Sequence, residues 1–576
     1  MVFDPRGYQE FLLNPCQNSI FIKPTNHYEV YNLINNFKNK STLDTKVESL
    51  KIANSCHDFA EILSKIVNNS FEQGKFPQAL KMARVVPIHK EGSKTDVTNY
   101  RPISLLSSFS KVFEKIMHLR ILEFLDENKV LCDTQYGFRP GRSCEHALLN
   151  ANNHILEALS KKQVALLLLI DFSKAFDVVE HSILLHKLQH YGVRGIAFKW
   201  IESYLNDRKQ FVNINGTDSS QKPIEYGVPQ GSVLGPLLFI IYINDLPNIS
   251  KFAHFILYAD DANIIVTGQN VHEVMLKVEQ LCNDIVKWVD NNGLALNLKK
   301  TKYMVFSRQR IDTSNIEIKI NKVKIEEKNE SRFLGVIMDN KLNWSQHIAA
   351  VRSKMSKYIG VMYKIKNRLP LQVRVQIFQS FVQSHLNYCS LVWGYAAKSH
   401  IESLFRKQKQ GMRAIMPGYV NYWYNDGELP AHTKLSFKKH GILTVHSIIA
   451  MNTLVFLHKV SRFPNSLPTS IVKTIPCNAP NTGSSYDDCI EWSNKYNNIP
   501  YRTTIFHKGP LLAVSPDVAD ITSDPSTLSS INRYKKSTKR FLLDKQSSGD
   551  DDIWPNFILY TIPGLRISNR NTKYKK

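Results

Sequence analysis

Phe255-Ile256-Leu257-Tyr258-Ala259-Asp260-Asp261-Ala262-Asn263-Ile264-Ile265-Val266 is the stretch on which the fold turns. Two runs of β-forming apolar residues flank a pair of adjacent carboxylates. That pattern predicts a strand, a tight turn and a returning strand with the acids at the tip. Neighbouring residues on a strand point to opposite faces, but at a turn both can reach one site. Two negative charges side by side repel, and burial worsens the repulsion unless a cation offsets it. Hard oxygen donors of this kind suit Mg²⁺, which is held by a few carboxylates together with substrate phosphates. An Asp-Asp pair also fits an ordinary surface turn, so the reading depends on what the rest of the chain brings to it.

A third carboxylate lies upstream. Val164-Ala165-Leu166-Leu167-Leu168-Leu169-Ile170 is a continuous apolar run, as expected of a strand buried on both faces. It ends in Asp171-Phe172-Ser173-Lys174-Ala175-Phe176-Asp177. An acid at the carboxyl end of a buried strand sits where sheet proteins place their chemistry, and desolvating it there is costly without a metal or another partner. Asp177 reads instead as an acid opening the next helix or as a surface group. Between Asp171 and the acidic pair comes Tyr226-Gly227-Val228-Pro229-Gln230-Gly231-Ser232-Val233-Leu234-Gly235-Pro236. Its glycines permit close backbone approach to a ligand, and Gln230 offers both a donor and an acceptor.

Two further segments carry cations. Ala83 to Lys90 is a β-rich run containing Arg84 and Lys90, and a polar turn leads from it to Asn99-Tyr100-Arg101-Pro102-Ile103-Ser104. Hairpin arms bearing Arg84, Lys90 and Arg101 could close over a triphosphate, since charge-assisted contacts to phosphate are what these side chains supply best. Gln135-Tyr136-Gly137-Phe138-Arg139-Pro140-Gly141-Arg142-Ser143 precedes a helix at Cys144, so backbone amides and two guanidiniums would form an anion site there. Helical periodicity appears in Val30 to Phe37, in Phe59 to Val67 and around Val112, Ile116 and Ile121, whereas residues 1–30 read as irregular.

The whole chain fits a nucleic-acid partner. Across 576 residues, 74 Lys and Arg stand against 50 Asp and Glu, a formal charge of +24 that favours a polyanion. Hydrophobic residues make up 43% of the chain, a globular rather than a disordered composition. The eight cysteines include no C-x-x-C pair, which argues against a zinc ribbon and fits a reducing compartment. The start shows no signal peptide, and the most apolar run, Val233 to Ile243, is too short to span a bilayer. The expectation is a protein without a membrane segment, in nucleus and cytoplasm.

Asp171, the Pro229-Gln230-Gly231 loop and Tyr258-Ala259-Asp260-Asp261, in this order, resemble the reverse transcriptases of non-LTR (LINE-type) retrotransposons, and most of all the jockey and CR1 groups. The supporting blocks include Gly137 to Ser143, Asn244-Asp245-Leu246-Pro247, Asn297-Leu298-Lys299-Lys300-Thr301-Lys302 and Phe333-Leu334-Gly335-Val336. The resemblance covers roughly residues 70–340 and continues more weakly to the tail Tyr534 to Leu543.

It implies an α+β right-hand polymerase with fingers, a palm built on an antiparallel sheet, a helical thumb and a mostly helical or irregular C-terminal region. The corresponding divisions are 1–69 as an N-terminal fingers extension, 70–340 as fingers and palm, 341–420 as a basic thumb and 421–576 as the C-terminal region. By the same resemblance Asp171 and Asp260 bind two Mg²⁺ ions, for which Mn²⁺ can substitute, and Asp261 completes the set. Arg84, Lys90, Arg101, Phe176, Gln230, Gly231 and Lys302 match dNTP-binding positions, with Phe176 the aromatic that bars a ribose 2′-hydroxyl. Arg139, Arg142, Tyr258, Lys364, Lys366 and Arg368 match template- and primer-contacting positions.

The implied partners are an RNA template, a DNA primer and dNTPs, with the endonuclease supplied elsewhere or lost. Ile348 to Ile415 reads as helical and basic, as a thumb gripping a hybrid duplex by its backbone requires. The chain departs from the family at Lys40 to Thr45, where Gly-Pro-Asp-Gly is usual, and at Gly509 to Pro516, where a Trp-Asn is usual. No RNase H acid set is evident in residues 341–576, and the chain reads as the reverse-transcriptase portion of a larger polyprotein. Two other readings share the same palm: a nucleic-acid-binding remnant without catalysis, and a splicing cofactor of the intron-maturase kind.

Overall fold

The strands that build the site are β1 (Met82–His89), β2 (Tyr100–Leu105), β3 (Val164–Asp171), β4 (Lys209–Ile214), β5 (Thr217–Asp218), β6 (Lys222–Pro223), β7 (Ala253–Tyr258), β8 (Asp261–Gly268) and β9 (Lys302–Phe306). A computed structural model describes residues 7–37, 57–309, 311, 317–415, 433–463, 467–468 and 530–545. The departures at Lys40 to Thr45 and Gly509 to Pro516 lie outside the described residues.

The central sheet runs in the order Glu326–Glu327, β9, β3, β8, β7. Its main pairings are antiparallel, and Glu326–Glu327 joins β9 in parallel. Because β3 lies in the middle, its apolar run is covered on both faces, as a strand without polar alternation requires. The side-chain period of two divides those residues between two cores. Leu166, Leu168 and Ile170 of β3, with Ala262, Ile264 and Val266 of β8, face one core. Ala165, Leu167, Ile265, Met304 and Phe306 face the other. Helices Ser108–Glu127, His181–His190, Gly195–Leu205, Gly235–Tyr242 and Val271–Asn291 cover the first face. Helix Cys144–Ser160 and the helices after residue 345 cover the second.

A second sheet has the order β2-β1-β4-β5, with β6 on β4. β1 and β2 form the expected hairpin, pairing Ile88 with Arg101 and His89 with Tyr100. The parallel pairing of β1 with β4 was not legible locally, because its partners lie far apart in the chain.

The N-terminal segment differs from the irregular reading. A 3-10 turn spans Gly7–Phe11, and a helix begins at His27, where the Asn26 side chain accepts the Glu29 N–H at 2.9 Å.

After the sheet the described chain is helical: Ser345–Ile365, Leu371–Phe378, Lys398–Ile415, Val445–Arg462 and Ile531–Lys545 are its main elements. A π-turn over Gln379–Gln383 interrupts this region. The tail Tyr534 to Leu543 thus lies within a helix that packs against Val445–Arg462. No helix among the described residues is long and apolar enough to cross a membrane.

Candidate active site

The acidic turn forms as the sequence predicts. Tyr258 pairs with Asp261, closing a two-residue loop of Ala259 and Asp260. Ala259 takes a φ of 56°, a region L side chains seldom visit and one that costs about 1–2 kcal/mol. The neighbouring segment holds that conformation in place. Gln135 Oε1 accepts the Ala259 N–H at 3.1 Å and the Gly137 N–H at 2.8 Å. The Leu257 N–H donates to Thr134 O, and the Tyr136 N–H to Leu257 O. Gly137 packs so closely on Ala259 and Tyr258 that any Cβ at position 137 would collide with their backbone. The glycine-rich segment therefore acts as a splint for the acidic turn.

Asp171 ends β3 directly opposite Asp261. Residues so paired lie about 5 Å apart at Cα, so three acids from two distant parts of the chain meet. Their electrostatics agree. Burial pushes Asp261 up to about 6, with Asp260 and then Asp171 adding repulsion. Asp260 is raised first by burial and then by Asp171. Both turn acids are open to solvent on one side, while the protein mass on the other side disfavours their charged forms.

Lys90 opposes both shifts, and Arg101 opposes that of Asp260, so these two cations of the β1–β2 arm face the acids. Among the described residues no group of three or more His, Cys, Asp or Glu is already drawn into a ligand cage. Hard carboxylate donors whose mutual repulsion is uncompensated nevertheless fit divalent cations. Mg²⁺ in particular completes its shell with water and substrate phosphate rather than with protein alone.

The other sequence candidates separate into groups. Gln230 bridges two regions: its side-chain amide donates to Asp177 Oδ1 at 2.8 Å, and its backbone carbonyl accepts the Ser104 N–H at 2.7 Å. Gly231 has a φ of +117°, and a Cβ there would meet Ser104 O at 2.5 Å. Phe176 is half-buried, stacked on Phe239 at 4.4 Å between ring centroids, with the half-exposed Phe138 edge-on at 6.3 Å. It is thus a packed residue whose ring is held between two other aromatics. Lys302 opens β9, two registers from Asp171 along β3. Tyr258 is half-buried, and its hydroxyl is pushed up to about 12, first by its hydrogen bond with Cys144. Lys364 and Arg368 are exposed at the end of helix Ser345–Ile365, and the Lys366 ammonium sits 5.4 Å from the Tyr363 ring centroid.

Three arginines have engagements inside the chain. Arg84 donates to Asn213 Oδ1 of β4 at 2.7 Å and is not among the cations acting on the acids. Arg139 donates to Cys132 O at 2.9 Å and pairs with Asp126 at 3.0 Å. Arg142 pairs with Asp133 at 2.8 Å and also donates to its carbonyl. The side chains of Arg139 and Arg142 are only 11% and 8% exposed. An anion site at this loop is therefore not what the two guanidiniums form, because their burial has already selected carboxylates and carbonyls as partners.

Some residues that matter were missed in the sequence. Asp177 does not open a helix, since the next one begins at His181; it receives Gln230, and burial raises its pKa. Glu114, fully buried in helix Ser108–Glu127, accepts the N–H groups of Val233 and Leu234 at 2.7 and 3.2 Å. The Ser110 hydroxyl donates to its other oxygen at 2.7 Å. A carboxylate at a core position of an amphipathic helix was the available signal. Lys187, fully buried, donates to Asp245 Oδ1, Asn292 Oδ1 and Tyr242 O at 2.8, 2.6 and 2.6 Å.

Acids opposed across a central strand pair, with cations of a neighbouring hairpin facing them, suit divalent cations and a phosphate-bearing ligand. Residues 88–338 match the family model described as reverse transcriptase (RNA-dependent DNA polymerase). Residues 88–338 thus carry a reverse transcriptase domain, and the chain is homologous over most of its length to RNA-directed DNA polymerases of non-LTR retrotransposons. It is 30% identical over 423 residues to the RNA-directed DNA polymerase from mobile element jockey of Drosophila melanogaster, covering 71% of this chain and 46% of that protein. The probable RNA-directed DNA polymerase from transposon BS of the same species is 29% identical over 456 residues, 74% of this chain and 49% of that one. The jockey polymerase of Drosophila funebris is 30% identical over 432 residues, 72% and 47%. The chain thus spans about half the length of the curated relatives it matches.

Proposed function

We propose that the chain is an RNA-directed DNA polymerase that extends a DNA 3′ end with dNTPs on an RNA template. The carrying observation is the direct opposition of Asp171 and Asp261 across β3 and β8, with Asp260 in the adjoining turn. In this reading the β1–β2 arm belongs to the fingers, the central sheet is the palm and the basic helices after residue 345 are the thumb. Asp171, Asp260 and Asp261 would hold two Mg²⁺ ions, or Mn²⁺ in their place. When bound, such a pair stabilises the attacking 3′-oxygen and the leaving pyrophosphate in an in-line displacement.

The protein's own part is positioning and charge. Lys90 and Arg101 meet the triphosphate, and Lys302 assists at the palm. Phe176, its height set by Phe239 behind it, excludes the ribose 2′-hydroxyl. Gln230 and Gly231 lie under the templating pair, tied to the palm through Asp177 and to β2 through Ser104. Tyr258 supports the primer end, and Lys364, Lys366 and Arg368 grip the hybrid backbone. Arg84, Arg139 and Arg142 serve by bracing the elements that carry these groups. Priming from a genomic 3′ end calls for action in the nucleus, with a nick made by another domain or protein.

The test is dNTP incorporation on poly(rA)/oligo(dT) with Mg²⁺. Asp260→Ala should abolish incorporation while leaving the thermal midpoint unchanged or raised, since one of the repelling charges is gone. Equal activity in the variant refutes the assignment, and RNA binding without incorporation by the wild type identifies a non-catalytic remnant.

A further inference from the structure

The tail Tyr534 to Leu543 has a place in the fold that the polymerase reading leaves unused. Its helix, Ile531–Lys545, buries Tyr534, Thr538 and Leu542 (the i, i+4, i+8 face) against Val445–Arg462. Tyr534 stacks on His458 with 4.0 Å between ring centroids. The adjoining face carries Lys535, Lys536 and Lys539, all exposed.

These lysines rim a cavity of about 770 Å³ whose far wall is the first turn of helix Cys144–Ser160 and whose floor includes Leu443 and Phe456. Among the described residues the three lysines make no ion pair. The cavity's carboxylate, Glu145, accepts the Leu391 N–H at 3.2 Å and is faced by Lys459. His146, next to it, is buried. The residue before Glu145, Cys144, hydrogen-bonds Tyr258 next to the catalytic acids.

We propose that this cavity is a second nucleic-acid site, in which a short run of single-stranded RNA is held by its phosphates on Lys535, Lys536 and Lys539. Three cations spaced at i, i+1 and i+4 on one helix suit successive phosphates of a bending strand. The half-open cavity has room for a few nucleotides but not for a duplex. An apolar, aromatic floor offers a surface for base stacking. The exposed amides of Gln379 and Asn532 give a 2′-hydroxyl something to meet. The site is separate from the three acids and does not depend on their chemistry.

The test uses the full chain without dNTPs and a short fluorescein-labelled oligouridine, with affinity read by anisotropy between about 50 and 200 mM salt. Losing three phosphate contacts lowers the log–log salt slope by about 2, roughly 0.7 for each. The triple variant Lys535→Gln, Lys536→Gln, Lys539→Gln should show that decrease with an unchanged thermal midpoint. Across this salt range the wild type should lose roughly 15-fold more affinity than the variant. The matching Lys→Arg triple should keep the wild-type slope. An unchanged slope in the Gln triple, a lowered slope in the Arg triple, or displacement of the RNA by polyglutamate as readily as by unlabelled oligouridine would each overturn the proposal.

Discussion

Replacing Glu114 separates support of the active-site loop from its chemistry. The carboxylate is fully buried, takes the N–H groups of Val233 and Leu234 on one oxygen and the Ser110 hydroxyl on the other. Glu114→Ala strands two buried backbone donors and a hydroxyl. Each unsatisfied group costs about 1–3 kcal/mol, so the expected loss of stability is about 3–5 kcal/mol. That is a large share of the roughly 5–15 kcal/mol that holds a domain together. Glu114→Gln keeps the size and one acceptor but loses the charge-assisted bonds, for about 1–2 kcal/mol. The loop being held begins two residues after Gly231. The Gln variant should therefore raise the KM for dNTP several-fold with kcat changed much less. Urea unfolding and steady-state incorporation measure both. A Glu114→Ala protein within about 0.5 kcal/mol of wild type, or a Gln variant with wild-type KM, would show that the carboxylate does not anchor the loop.

Other outcomes follow from the same geometry. Removing one partner of the buried Lys187–Asp245 pair, as in Asp245→Asn, should cost about 3–5 kcal/mol, while Lys187→Met with Asp245→Leu recovers most of it; chemical denaturation of the single and double variants decides. Gly231→Ala forces an L residue to φ +117° and sets its Cβ 2.5 Å from Ser104 O. Incorporation should fall by roughly 5- to 150-fold, from about 1–3 kcal/mol of strain at the loop. Burial and the adjacent His154 hold His254 down to about 3, while an unfolded histidine titrates near 6.5. The unfolded chain therefore binds the extra proton between those values, and stability falls as pH drops from about 6.5 toward 3. His254→Phe should flatten that fall by about 1–2 kcal/mol at pH 5, read from denaturation midpoints at pH 7 and 5.

What the sequence made legible was whatever a short segment decides alone. The acidic hairpin, the buried run of β3 and the β1–β2 arm follow from period, turn chemistry and apolar continuity; the first two give three strands of the central sheet with its acids, and the third gives the hairpin of the second sheet. Partnership across the chain was not legible. Asp177 reads as a helix opener until Gln230 arrives from a distant loop. Arg139 and Arg142 look like free cations until Asp126 and Asp133 claim them. Glu114 and Lys187 sit inside apolar stripes where pattern alone gives no reason for a charge. In each case the deciding fact is a buried polar group's need for a partner, which spacing cannot name.

Placing β3 between β8 and β9 has a consequence for how the protein is made. Asp171 emerges from the ribosome about ninety residues before the turn that completes its site. The far flank of the strand stays bare until Lys302–Phe306 arrives. A growing chain halted between those points presents a long apolar strand with unpaired edges, the condition in which nascent sheets are prone to misassociate. Only once residues 302–306 have followed is β3 paired along both edges.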